Sequence, residues 1–167
     1  HANREYEVNE SRRDVEVRAA LGVPLHLHDD RVLLAPGTVR TQSATPYTVF
    51  TPFKRQWLTV LAATDVTPRP APKPLRPVEG LSSSAVPPLA SPLDPALWPA
   101  GEAAAAHALK VFVAEKIATY RTGRDLPALD ATSRLSPYLA AGVISPRRCL
   151  AAAMSANRGL AAGGNEG

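Results

Sequence analysis

Two neighbouring stretches carry most of the information in this chain: YRTGRDLP at residues 120–127 and TSRLSPYL at residues 132–139. The second begins with three hydroxyl side chains and one guanidinium within five residues, where a loop is predicted to give way to a helix. A helix start has unpaired N–H groups and a partial positive charge. Hydroxyls and an Arg beside it form a receptor for phosphate oxygens. The pattern therefore predicts an anion site that uses Thr132, Ser133, Arg134 and Ser136.

The same residues have a plainer explanation as an ordinary capped helix. Ser136 would be the N-cap and Pro137 the first helical residue, with Arg134 solvated. Caps are more common than phosphate sites. The length of the combined stretches, with Tyr120 and Arg124 just upstream, favours the anion site but leaves the alternative open.

Size and composition limit the classes of function. The 167 residues suffice for one ordinary domain or pieces of two. No run of about 18 apolar residues predicts a membrane span. The net charge is +4 and fifteen of the nineteen cationic residues are Arg, which mildly favours an anionic partner. The single cysteine, Cys149, excludes an intramolecular disulfide and a multi-cysteine metal site, and its apolar surroundings predict a buried structural thiol. We expect a soluble, cytoplasmic monomer.

Residues 1–63 have the pattern of the end of an α/β domain. Asn9 can cap a helix that ends before Gly22. Residues 23–28 alternate with period two, which predicts a short strand. His26 and His28 share one face of that strand and could bind a metal, but no third ligand has a supporting spacing, so an exposed strand face is favoured.

A second helix is predicted to begin with Thr51 as N-cap and Pro52 as its first residue. One apolar stripe runs along it: Phe53, Trp57, Leu58 and Leu61. Residues 64–100 then hold ten of the seventeen prolines, Pro77 among them, which predicts an extended linker.

From Gly101 onward the pattern is helical. Apolar residues recur every three or four positions as far as Tyr120, and Gly123 is predicted to close that helix. Short helices follow, one ending at Gly142 and one opening at Ser145-Pro146. Such short helices meet at angles and are suited to lining a cavity.

Four stretches occur in a familiar order: ANREYE at residues 2–7, YTVFTPFKRQW at 47–57, the two stretches within 120–139, and AAGVISPR at 140–147. Together they resemble the photolyase/cryptochrome family, and more closely its microbial class I cyclobutane pyrimidine dimer photolyases. The resemblance implies an α/β plus all-α fold. Residues 1–63 would be the C-terminal part of an α/β, Rossmann-like, antenna-binding domain, residues 64–100 the interdomain linker, and residues 101–167 the start of a helical FAD-binding domain.

The resemblance also implies roles for particular residues. It assigns the FAD diphosphate to a set of six: Tyr120, Thr132, Ser133, Arg134, Leu135 and Ser136. Arg124 matches a position near the DNA-binding face, with an ion pair to Asp125 or another acidic group as the alternative. Asn9 and Glu10 match positions that contact a folate antenna such as methenyltetrahydrofolate, with a simple helix cap as the alternative. No catalytic or metal-binding side chain is assigned.

The implied activity is light-driven repair of UV-damaged DNA by a carbon–carbon lyase. Excited reduced FAD would pass an electron to a pyrimidine dimer flipped out of the duplex, as base-flipping enzymes require. A cryptochrome-type photoreceptor without repair activity and a truncated remnant that binds nothing are the alternatives. Because the chain begins without Met and ends in GGNEG at residues 163–167, we interpret it as a fragment. We expect it alone neither to fold stably nor to repair DNA, since helices that would cover Leu135, Leu139 and Ile144 are missing.

Overall fold

The computed structural model describes residues 1–76, 79–80, 82–88, 94 and 96–162. Within these ranges the chain forms two short strands and six α-helices: β1 Ala2–Asn3, α1 Val8–Ala20, β2 Leu27–His28, α2 Phe50–Ala62, α3 Glu102–Val111, α4 Tyr120–Gly123, α5 Ser136–Ala140 and α6 Pro146–Ala156. A π-helical segment, Phe112–Lys116, and a 3₁₀ turn, Ile117–Thr119, join α3 to α4. Pro77 in the predicted linker and the tail at residues 163–167 lie outside the described residues.

The N-terminal part is a small parallel β–α–β unit. Ala2 pairs with Leu27 and Asn3 with His28, and α1 connects the two strands. Parallel strands need such a crossover, so the α/β character expected from the sequence is present. The second strand is shorter than predicted. In the described residues its hydrogen-bonding partner is β1, which is only two residues long. None of the helices in the described ranges is long and apolar enough to cross a bilayer.

Helix α1 begins two residues earlier than predicted. Glu7, in extended conformation, is its N-cap, and the Glu7 carboxylate accepts a 3.0 Å hydrogen bond from the backbone N–H of Tyr6. Asn9 is therefore the second helical residue, and the cap assigned to it was wrong. The helix ends where Leu21 becomes extended, and Gly22 does not take the left-handed conformation of a C-terminal stop.

Helix α2 also begins early, with Val49 as its N-cap. Thr51 and Pro52 are its second and third residues rather than its cap and first residue. Proline is tolerated there because N–H groups in the first turn have no partner within the helix. The apolar stripe is confirmed: Leu61 is buried, and Phe53, Trp57 and Leu58 are half-buried.

The described part of residues 64–100 contains neither helix nor strand and is mostly exposed. Side chains of α5 and α6 form hydrogen bonds with the backbone near both ends of this segment. The guanidinium of Arg147 in α6 donates to the carbonyl oxygen of Asp65. The hydroxyl of Tyr138 in α5 donates to the carbonyl oxygen of Pro99 at 2.8 Å. The domain boundaries at residues 63/64 and 100/101 stay predictions.

A compact core lies between α3, α5 and the start of α6. It contains five buried apolar residues: Ala105, Leu109, Leu135, Tyr138 and Ile144. Leu135 is 6% exposed and Ile144 5%, so the expectation that both would be left bare was wrong. Residues of this same chain cover them, and Leu139, Val143 and Cys149 pack around the cluster.

Two helix signals in this half are confirmed. Gly142 takes φ +71°, and the N–H groups of Val143 and Gly142 donate to the carbonyls of Tyr138 and Leu139 at 3.0 and 3.2 Å. This is the Schellman ending that glycine favours. Ser145 is the N-cap of α6, and its hydroxyl accepts a hydrogen bond from the N–H of Arg147 at 3.2 Å.

The long helix predicted from Gly101 to Gly123 is interrupted by the π-helical segment. An extra residue in one turn rotates the rest of the helix by roughly 100°. Ala105 and Leu109 are accordingly buried, whereas Tyr120 at the far end is 38% exposed.

Candidate functional site

A cavity of about 390 Å³ opens beside residues 132–134. One wall comes from α3 and the π-helical segment, and the other from the end of the linker and from α5. The apolar wall residues are Leu97, Trp98, Pro99, Ala104, Ala108, Val111, Phe112 and Tyr138. The polar wall residues are His107, Lys116, Thr132, Ser133 and Arg134. The cavity is thus lined both by polar and charged residues and by aromatic and aliphatic ones.

The loop that carries residues 132–134 turns at Arg134. Its φ of +51° lies in the left-handed region, which costs a residue with a side chain on the order of 1 kcal/mol or more. Leu135 follows in near-helical conformation, and its carbonyl accepts the N–H of Leu139 at 2.9 Å. Ser136 is therefore the first residue of α5, and its assignment as the N-cap was wrong: α5 has no side-chain cap.

Asp130 bridges the two cations of the cavity rim. Its carboxylate accepts a hydrogen bond from Lys116 Nζ at 2.7 Å and pairs with Arg134 Nε at 3.1 Å. The hydrogen bond from Lys116 lowers the pKa of Asp130 below its ordinary value, and the charges of Arg134 and Lys116 lower it further. One carboxylate against two cations leaves one positive charge at the rim. Arg134 is thus ion-paired, not simply solvated as the capped-helix alternative required.

A close backbone approach holds this loop in place. Gly123 ends α4 and is buried, and a Cβ added there would lie 2.6 Å from the Cβ of Ala131. Real Cβ atoms do not come so near each other. Glycine at position 123 therefore lets α4 touch the residue immediately before Thr132.

The six residues assigned to FAD do not all meet at the cavity. Thr132, Ser133 and Arg134 line it, while Leu135 is buried in the core and Ser136 is exposed at the start of α5. Tyr120 is absent from the cavity wall and packs edge-on against Phe112, with ring centroids 5.6 Å apart.

Arg124 lies next to Tyr120, at the surface. Its guanidinium carbon is 5.8 Å from the centre of the Tyr120 ring, and its Nε is 3.6 Å from the carboxylate of Asp125. The ion pair weighed as an alternative is therefore formed. Because both side chains are well exposed, the pair contributes little stability and leaves the guanidinium accessible. The DNA-binding role of Arg124 stays a prediction.

The residues assigned to an antenna lie in the first turn of α1. Asn9 is exposed and Glu10 half-exposed. Two surface grooves beside α1 are lined by other residues, with Tyr6, Ser11 and Val15 common to both. The antenna assignment stays a prediction.

Two polar clusters lie near the strands. Asp29 accepts hydrogen bonds from the Tyr6 hydroxyl at 2.8 Å and from Arg4 Nε at 3.0 Å. Burial, and then the hydrogen bond to Asp29, raise the pKa of Tyr6 to about 12. His28 Nε2 is 2.9 Å from His1 Nδ1. The described residues contain no group of three or more His, Cys, Asp or Glu side chains arranged to hold a metal.

Four residues of the site were missed by the sequence reasoning: Trp98, His107, Lys116 and Asp130. His107 shares one helical face with Ala104, Ala108 and Val111, so the spacing along α3 could have revealed it. The contact between Lys116 and Asp130 joins residues fourteen positions apart and has no local signal in the sequence. Trp98 lies near the end of the segment that is predicted to be a linker.

Comparisons with known proteins point to one family. Residues 1–74 match the family described as DNA photolyase. The chain is 44% identical over 155 residues to the deoxyribodipyrimidine photo-lyase of Salmonella typhimurium and 43% identical over 152 residues to that of Escherichia coli. Each alignment covers 89% of this chain and 32% of the relative. The chain therefore spans about a third of the length of these curated relatives.

A solved structure agrees with the sequence matches. The crystal structure of a bacterial class III photolyase from Agrobacterium tumefaciens superposes with a TM-score of 0.76 and 32% sequence identity, over 90% of this chain and 33% of that one. The resemblance stated from the sequence is confirmed at the level of the family. The closer assignment to class I stays a prediction, because this solved structure belongs to class III.

Proposed function

We propose that this chain belongs to the DNA photolyase family, which it resembles in sequence and fold, and that residues 132–134 hold the diphosphate of FAD in a light-driven DNA repair lyase. One observation supports the proposal: Thr132, Ser133 and Arg134 line a single cavity together with Lys116. The residues that the family resemblance assigned to the diphosphate therefore coincide in part with a concave site that has a positive rim.

The donor set suits a diphosphate. Thr132 and Ser133 each offer a hydroxyl donor, and the planar guanidinium of Arg134 matches two phosphate oxygens. Asp130 engages Arg134 through Nε, so a phosphate would approach from the terminal nitrogens. Lys116 adds a point charge. A volume of about 390 Å³ is within the range of pockets that hold small molecules.

Bound in its reduced form, FAD would supply the light-excited electron that splits the cyclobutane ring of a pyrimidine dimer. The residues of this chain would bind and orient it. Leu135 is buried in the core, so it fixes the position of the loop that carries the neighbouring residues 132–134. Arg124 is proposed as a contact to a DNA phosphate, which would make DNA binding depend on salt. Asn9 and Glu10 are proposed as antenna contacts.

FAD binding to the chain tests the site independently of repair, because every cavity residue belongs to this chain. Arg134→Gln is compared with Arg158→Gln. Both arginines are exposed, and both take a left-handed φ, +51° and +55°, so the two substitutions are alike in backbone cost. Only Arg134 lines the cavity. We expect FAD affinity to fall about tenfold or more for Arg134→Gln and to be unchanged for Arg158→Gln. Equal affinities for both variants and the original chain would reject the proposed site.

Repair itself requires a second assay. A protein that joins this chain to the remaining length of its relatives is expected to remove cyclobutane dimers from UV-irradiated DNA under blue light and not in the dark. FAD binding without light-dependent repair would instead favour the cryptochrome-type alternative.

A further inference from the structure

Three aromatic residues line the cavity in addition to residues 132–134. Trp98 and Tyr138 form an edge-to-face pair, with ring centroids 6.3 Å apart and planes inclined by 65°. Phe112 adds a third ring from the π-helical segment. Aromatic residues bury large apolar areas and offer flat faces to other rings.

Trp98 is held in place through its neighbour Pro99. The Tyr138 hydroxyl donates to the carbonyl of Pro99, the next residue along, at 2.8 Å, and Tyr138 itself is buried in the core. Trp98 is 37% exposed and lines the cavity. An aromatic side chain that is both fixed and partly accessible loses little conformational entropy when a ligand packs against it.

The two kinds of residue that line the cavity match the two parts of a nucleotide. Hydroxyls and cations can bind the phosphates, and aromatic and aliphatic side chains can pack against a planar ring. Stacking on an aromatic side chain is worth about 1–3 kcal/mol per base, which is a factor of about five to a hundred or more in affinity. With about 390 Å³ available, the smaller ring system of FAD, its adenine, suits the space beside a diphosphate.

We propose that Trp98 is a ligand-binding residue that contacts the adenine ring of the nucleotide whose phosphates lie at residues 132–134. This inference rests on the proposed function, since it needs the phosphates at residues 132–134. It extends the site to the last residues of the segment that the sequence assigned to a linker.

The two tryptophans of the chain give each variant its own reporter. Trp57→Phe leaves only Trp98, and Trp98→Phe leaves only Trp57, which lies on α2 and outside the cavity wall. ADP is the probe, because adenine does not absorb where indole is excited at its red edge. We expect ADP to change the fluorescence of the Trp57→Phe chain and not that of the Trp98→Phe chain. Inorganic pyrophosphate should bind without changing Trp98 emission.

Affinities separate a contact from a merely structural role. Trp98→Ala should bind ADP and FAD about tenfold or more weakly, and Trp98→Phe should stay within about threefold of the original chain. Pyrophosphate affinity, measured by calorimetry, should be equal in all three, whereas a collapsed cavity would lower it. Unchanged ADP affinity in Trp98→Ala, with pyrophosphate still bound, would overturn the Trp98 contact and leave the proposed function intact. Failure of the original chain to bind FAD, ADP and pyrophosphate would overturn both.

Discussion

Replacing Gly123 with alanine tests whether the loop that carries residues 132–134 depends on its close approach to α4. The added Cβ would lie 2.6 Å from the Cβ of Ala131, about 1 Å inside ordinary contact distance. Ala131 cannot rotate its Cβ away, so the backbone must move. Overpacking of this kind costs about 1–3 kcal/mol. Alanine regains up to about 1 kcal/mol of helix propensity, though α4 is only four residues long. We therefore expect a net loss of about 1–2 kcal/mol.

Urea titration followed by the helical circular dichroism signal measures this loss. Gly22→Ala is the matched control, because a Cβ at Gly22 meets nothing within 4 Å and Gly22 does not have a left-handed φ. A loss of about 1–2 kcal/mol corresponds to a midpoint lower by roughly 0.5–1 M urea. The double variant Gly123→Ala with Ala131→Gly removes the opposing methyl group and should recover part of the loss. Equal midpoints for Gly123→Ala and Gly22→Ala would refute the steric argument.

Three further predictions concern ionisable groups. The pKa of Tyr6 is raised because the fold favours its neutral form, and this preference stabilises the folded state. The stabilisation is complete below about pH 10 and is lost as the pH rises through about 12. Tyrosinate absorbance should therefore show one ionisation near pH 12 that Tyr6→Phe removes. The lowered pKa of Asp130 contributes stability above the ordinary carboxyl pKa that disappears as the pH falls through the folded value. Asp130→Asn should therefore flatten the acid side of the stability profile, and an unchanged profile would contradict the pairing with Lys116. Burial raises the pKa of Cys149, so an aromatic disulfide reagent should modify it more slowly in the folded chain than in urea at the same pH, and equal rates would count against a half-buried thiol.

Local signals in the sequence predicted local structure well where backbone chemistry leaves little choice. Gly142 was expected to end a helix and does so with a left-handed φ, and Ser145 was expected to cap α6 and does. Ser136 failed as a cap because the left-handed turn at Arg134 starts the helical conformation one residue earlier. No local sequence signal predicts that Arg134 takes the left-handed backbone conformation.

The site was predictable only in part, for a physical reason. Thr132, Ser133 and Arg134 are adjacent in the chain, so their shared chemistry was visible as a motif. Lys116 and Trp98 reach the cavity only through the fold: the π-helical segment places Lys116, and the hydrogen bond from Tyr138 to Pro99 holds the neighbourhood of Trp98. Contacts between distant residues require the packed structure.

The stability of the isolated chain depends on how much surface it buries. Its accessible surface is 13362 Å², against about 7,900 Å² for a compact monomer of 17.7 kDa. Relative to the unfolded chain, it thus buries about half of its surface, where a compact domain of this length would bury about 70%. The deficit does not lie at Leu135 or Ile144, which are covered. It lies partly in the described part of residues 64–100, which is mostly exposed, and partly in α1, which has no buried residue. The expectation that the chain alone does not fold stably stays a prediction, and among the described residues the core beside the cavity holds five of the seven buried apolar residues.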